Sequence, residues 1–192
     1  MILKMEFKYY LNETGWANCV VELNSQKLEF SASYLTDCLG DLVESLFWLN
    51  PLRSEKGERV SFEWEGEPEG ILWTLELKES NILFIEAIYY EDLENKDSGN
   101  KVIQTEYSYD DFLRVVLIEI DSLIKRHGII GYREQWVMAD FPLRTFLELK
   151  HYLFKKENYP ISEVKGEIMG ETTEEVRSSL KYDLELLMES IQ

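Results

Sequence analysis

The hydrophobic pattern changes period three times along the chain, and those changes constrain the fold more than any single residue does. Near the start apolar residues alternate: Phe7, Tyr9 and Leu11 share one side of an extended segment, Ala17, Cys19, Val21 and Leu23 share a side of the next, and Leu28, Phe30 and Ala32 follow the turn residues Asn24 to Gln26. This spacing predicts a three-stranded antiparallel meander. The period then becomes helical over 34–49, where Leu35, Cys38, Leu39, Leu42, Val43, Leu46 and Leu49 recur at three and four, with Ser33 as a candidate cap and Pro51 beyond the end.

Extended patterns return at Val60–Trp64, Ile71–Leu77, Ile82–Tyr90 and Val102–Tyr109, joined by turn-forming stretches, of which the Asp97–Asn100 loop is expected to be mobile. From Asp110 the pattern is helical. Asp110 or Asp111 can cap a helix that Gly128 stops, Asp140 and Pro142 open a second helix through Phe154, and Thr172 with Glu175 forms a capping box for a last helix with the stripe Val176, Leu180, Leu184, Leu187 and Ile191. Strands followed by helices point to an α+β class. The expectation is one domain over 1–192, strand-rich in 1–110 and helical in 110–192. It would hold a mainly antiparallel sheet of six or seven strands with three or four helices packed on one face.

Composition narrows the function classes. The chain of 192 residues is 45% hydrophobic and carries a formal charge of −17. The charge is uneven, −13 over residues 1–110 and −4 over 111–192. Such a field repels nucleic acid and anionic membrane, so neither is an expected partner. Glu119 and Asp121 interrupt the longest apolar stretch, and Lys4, Glu6 and Lys8 interrupt the first ten residues, so neither a membrane helix nor a secretory signal is expected and the expected location is cytoplasmic. Cys19 and Cys38 fall on apolar positions and read as buried free thiols.

Chemistry-bearing motifs are few. His127 and His151 have no partner at metal-ligand spacing; His127, just before Gly128, suits the negative end of a helix, and His151 follows Lys150 on a stretch that reads as surface. No nucleophile elbow, phosphate loop or dinucleotide fingerprint is present, so no catalytic residue, metal or cofactor is assigned. The clearest pattern is Glu63, Glu65, Glu67 and Glu69, alternating with Phe62 and Trp64. If extension persists, the four carboxylates point to one side about 6.6 to 7 Å apart, as a solvated ridge. Tyr89, Tyr90, Tyr107 and Tyr109 lie on two extended segments and form a second candidate surface if those segments are neighbours.

Several stretches resemble a family of uncharacterised bacterial proteins. They are Gly15, Trp16 and Ala17; SYLTDCLGDLVESLFWL at 33–49; the hairpin with Trp64, Glu67, Pro68, Glu69 and Trp73; and Gly131, Tyr132, Trp136, Phe141 and Pro142. The family pattern reads GWA, SYLSDALGDL, W..EPGE..W and GY..W....FP, with Cys38 standing where a small residue is usual and Gly70 and Ile71 departing after Glu69. The resemblance covers most of the chain and implies a shared fold, with no activity attached. Gly40 and Asp41, poor helix formers inside a helical pattern, imply close packing at the glycine and a specific bond at the aspartate.

These residues imply a non-catalytic acidic binding protein that docks a basic protein partner in the manner of an immunity protein, through Glu63, Glu65, Glu67, Glu69, Tyr89, Tyr90 and Tyr107. The alternatives are an enzyme of an unrecognised class using the hairpin carboxylates, and a structural or regulatory subunit without a ligand. Oligomeric state is left open by the sequence.

Overall fold

Alternation is realised first in the meander formed by β1 (Met5–Leu11), β2 (Trp16–Leu23) and β3 (Gln26–Ser33), in the order β1-β2-β3. The computed structural model describes residues 5–79, 81–96, 99–168 and 171–191; Lys4, Asp97 and Ser98 therefore lie outside the described residues. Tyr9 pairs with Cys19 and Cys19 with Phe30, which places these three buried side chains on one face. Asn24 and Ser25 take φ of 51° and 67°, the left-handed pair that a two-residue hairpin between twisted strands requires.

Helix α1 (Cys38–Trp48) starts later than its apolar spacing predicts, because its cap is Asp37 and not Ser33. The Asp37 carboxylate accepts the Gly40 N–H at 3.2 Å, while Ser33 is buried before the turn. A Cβ on Gly40 would lie 1.9 Å from Asp37 Oδ2, so the glycine makes room for the cap. At Asp41 the main-chain carbonyl accepts from Ser45 Oγ at 2.7 Å, a bond that does not depend on the aspartate side chain. Leu39, Leu42, Val43 and Leu46 form the buried stripe.

The remaining extended segments, β4 (Arg59–Glu65), β5 (Gly70–Glu79), β6 (Ile82–Tyr90) and β7 (Asn100–Ser108), form a second antiparallel sheet in chain order. The expected single sheet of six or seven strands is not what forms. The described residues hold nine strands in three antiparallel sheets of three, four and two strands, with four helices. Side chains join the first two sheets where a ladder would otherwise run. Gln26 bonds both the N–H and the carbonyl of Gln104, at 2.6 and 3.2 Å, and Asn24 bonds Thr105 Oγ1 and Tyr107 Oη, at 2.7 and 2.6 Å.

Helix α2 (Tyr109–Trp136) is capped by Ser108, two positions before the first of the expected aspartates. Gly128 breaks it as the spacing predicts, at φ 69° and ψ 171°, yet helix resumes beyond and carries Tyr132 and Trp136 into the core. Helix α3 (Leu143–Lys155) begins after Pro142. The stretch expected to open the last helix is instead a hairpin of β8 (Ser162–Ile168) and β9 (Glu171–Arg177), so Thr172 and Glu175 lie in a strand and not at a helix start; α4 (Leu180–Met188) is shorter and capped by Ser179.

Two surface expectations are reversed within α3. His151 is buried with Nδ1 2.7 Å from Tyr182 Oη, and the Lys150 ammonium is fully buried, donating to Asp121 Oδ1 at 2.6 Å and to the Glu189 carbonyl. This ion pair ties α2, α3 and the end of α4 together, and losing one partner would leave the other charge buried alone. No helix among the described residues is long and apolar enough to cross a membrane.

Leu42 is 2% exposed, facing the core. Leu42→Ala is expected to cost roughly 2 to 5 kcal/mol in denaturant melts, and a loss below about 1 kcal/mol would contradict the assigned helix face.

Candidate functional site

The pleat of β4 follows from burying Trp64. Its indole is 0% exposed and packs edge-on against Tyr9 of β1 at 6.4 Å and Trp73 of β5 at 5.2 Å, while Phe62, on the same side, stacks on Trp73 at 6.3 Å. Alternation then turns Glu63 and Glu65 to the opposite side. The strand ends at Gly66, where a Cβ would meet the Ser31 carbonyl at 2.7 Å, so only glycine permits this approach to β3. The turn Glu67–Pro68, with a cis peptide bond, leads through Glu69 into β5.

This turn forms one wall of a groove of about 670 Å³. Glu63, Glu65, Glu67 and Glu69 line it from the hairpin, and Asp92 and Glu94 line it from the loop after β6. Leu35, Pro68 and Leu93 give it apolar surface. All four glutamates line this groove: Glu67 is exposed, while Glu63, Glu65 and Glu69 are half-buried. The loop before α1 is held to this wall by the Glu65 N–H, which donates to Thr36 Oγ1 at 3.1 Å, and the Leu93 N–H donates to the Pro68 carbonyl at 3.0 Å. Lys96 forms an ion pair with Glu63. Among the described residues, no three His, Cys, Asp or Glu side chains are arranged to hold a metal ion.

The tyrosines divide. Tyr89 donates to Glu69 Oε2 of the groove wall at 2.7 Å, and the bond to that carboxylate pushes its phenol up to about 12. Tyr90 is buried beside it in sequence. Tyr107 pairs with Leu83 at the other end of the β6–β7 hairpin, is buried and bonds Asn24, and Tyr109 is buried at the start of α2. The expected single tyrosine surface does not form, because Tyr89 and Tyr107 occupy opposite ends of neighbouring strands. Asp92 and Glu94 were legible only as part of an acidic loop; nothing in the spacing places that loop against the hairpin.

A second group of titratable side chains meets behind the groove. The Gly15 N–H donates to the Gln135 carbonyl at 2.8 Å and the Tyr34 N–H to the Gly15 carbonyl at 2.9 Å, drawing the β1–β2 turn and the α1 lead-in onto the end of α2. Asp37, the cap of α1, and Asp41 in its first turn are both half-buried there. Burial raises the Asp37 carboxyl, against a lowering by the Gly40 N–H, and Trp136 Nε1 lies near it outside hydrogen-bond geometry. Burial, with the Asp37 charge second, raises Asp41 to about 6. Tyr9 Oη and Tyr132 Oη are buried here with no hydrogen-bond partner among the described residues, and burial raises both phenols. The Cys19 and Cys38 thiols are free and buried, and burial pushes Cys38 up to about 12.

Comparison with protein-family models, with curated proteins and with solved structures finds no match to this chain.

The acid pair has a consequence for stability against pH. A carboxyl raised on folding binds its proton more tightly in the folded state, so the cost of its charge is fully present above about pH 6 and fades as the pH falls toward the unfolded value. Asp41→Asn is therefore expected to stabilise the protein at pH 8 by roughly 1 kcal/mol, the linkage being discounted because the carboxyl is only half-buried. The gain should shrink as the pH is lowered through 6. Thermal melts across this range check it, and a gain that does not vary with pH would show that the Asp41 charge is not its origin.

Proposed function

We propose that this chain is a non-catalytic binding protein that captures a basic segment of a partner protein in the acidic groove. One observation carries the reading: six carboxylates, from the β4–β5 hairpin and the loop after β6, line a single groove that also offers apolar surface from Leu35, Pro68 and Leu93. A lysine or arginine side chain matches both features, because its methylene stem lies along apolar surface while its charged head reaches a carboxylate. The Lys96–Glu63 pair supplies a local instance of that contact.

Magnitudes favour a distributed contact over any one bond. Exposed ion pairs contribute about 0.2 to 1 kcal/mol each, so useful affinity needs several cations engaged at once. The field of −13 over residues 1–110 draws a cationic chain in before contact. Screening over about 8 Å at physiological salt makes that attraction, and hence the association rate, fall as salt rises.

The test uses a lysine-rich peptide as probe, with an acidic peptide of equal length as control. The parent protein is expected to bind the lysine-rich peptide with an affinity that falls steeply with salt. Replacing Glu63, Glu65, Glu67 and Glu69 together by glutamine should weaken binding by at least about tenfold at low salt, a change of about 1.4 kcal/mol, and leave the melting temperature nearly unchanged. Equal binding by parent and variant would remove the groove from the account.

A further inference from the structure

We infer that α4 is a self-association surface, on which two copies of this chain pair antiparallel about a two-fold axis at Leu184. The helix is firmly seated on one side. Leu186 is buried, Tyr182 meets His151, Asp183 Oδ1 accepts from Tyr159 Oη at 2.7 Å, and the Glu189 carbonyl just beyond accepts from Lys125 at 3.1 Å and from Lys150. Its outer side is apolar. Leu180, Leu184 and Met188 are 70%, 53% and 73% exposed, and their spacing of four puts them in one stripe. Val176, 68% exposed at the end of β9, extends it. Single exposed apolar residues are ordinary on a protein surface, but a contiguous row marks an interaction site.

Charge identifies the occupant as a second copy. Lys181 and Glu185 are exposed along one flank of the stripe and form a long contact of 3.7 Å within the helix. In an antiparallel pair crossing at Leu184, Lys181 lies three residues before the axis and Glu185 one residue after it. At 1.5 Å per residue, Lys181 then falls within about 3 Å along the axis of Glu185 of the second copy, and the reciprocal pair forms by symmetry. The two Glu185 side chains also fall about 3 Å apart along the axis, so the flank sets two attractions against one repulsion. A helix of nine residues is about 14 Å long, so the contact is small and the pairing reversible.

Analytical ultracentrifugation of the full chain over a concentration series tests the inference. The parent is expected to shift from monomer to dimer as concentration rises, and Leu184→Lys to stay monomeric with an unchanged circular dichroism spectrum. Lys181→Glu and Glu185→Lys should each weaken the dimer about tenfold, and the double reversal should recover it, because the reciprocal pairs re-form with their signs exchanged. A parent that stays monomeric throughout, a dimer that survives Leu184→Lys, or a double reversal that fails to recover would each overturn the inference.

Discussion

Burial of Trp64 is the constraint on which the rest of the structure depends. The side chain touches Tyr9 across to the first sheet and Trp73 within the second, and Tyr9 in turn meets Trp136 at 6.3 Å, so one aromatic chain links β1, β4, β5 and the end of α2. Edge-to-face contacts of this kind are worth roughly 0.5 to 1.5 kcal/mol beyond the burial of the rings. Because a strand alternates sides, committing Trp64 inward commits Glu63 and Glu65 outward. A slip of one residue would bury both carboxylates and expose the indole. The electrostatics of the groove are therefore a consequence of core packing.

The same packing concentrates polar groups where they are costly. Among the described residues Tyr9 Oη, Tyr132 Oη and Trp136 Nε1 are buried without a hydrogen-bond partner, each a loss of about 1 to 3 kcal/mol if wholly unsatisfied, and the half-buried Asp37 lies near both tyrosines. Asp37 is held in place by its cap on α1, so its burial follows from where the helix must begin. The segments around Gly15, Asp37, Trp64 and Tyr132 come together here although they are far apart in the chain.

Much of the fold was legible where periodicity and burial agree. The first meander, α1, the four strands from Arg59 to Ser108 and the buried face of α2 all follow from apolar spacing alone. The partition into separate sheets did not, because alternation marks which side of a strand is buried and is silent on which strands share a ladder; the Gln26–Gln104 contact that substitutes for one is made by a side chain. The β8–β9 hairpin was misread because Val176, Leu180 and Leu184 sit at helical spacing, while β9 holds the first and α4 the other two, and all three face outward. Lys150 and His151 read as surface because their buried partners, Asp121 and Tyr182, come from other elements. For the site, the glutamate alternation was visible in the chain, whereas the groove needed Asp92, Leu93 and Glu94 to be folded against it.

We propose that these carboxylates act together as one site for a basic segment. Nuclear magnetic resonance of the isotopically labelled protein, titrated with a lysine-rich peptide, tests it most directly. Saturable shifts confined to the amides of residues 63–69 and 92–96, together with the Tyr89 ring, are the predicted result. Shifts spread over the whole acidic surface without saturation, or none in the groove, would contradict it.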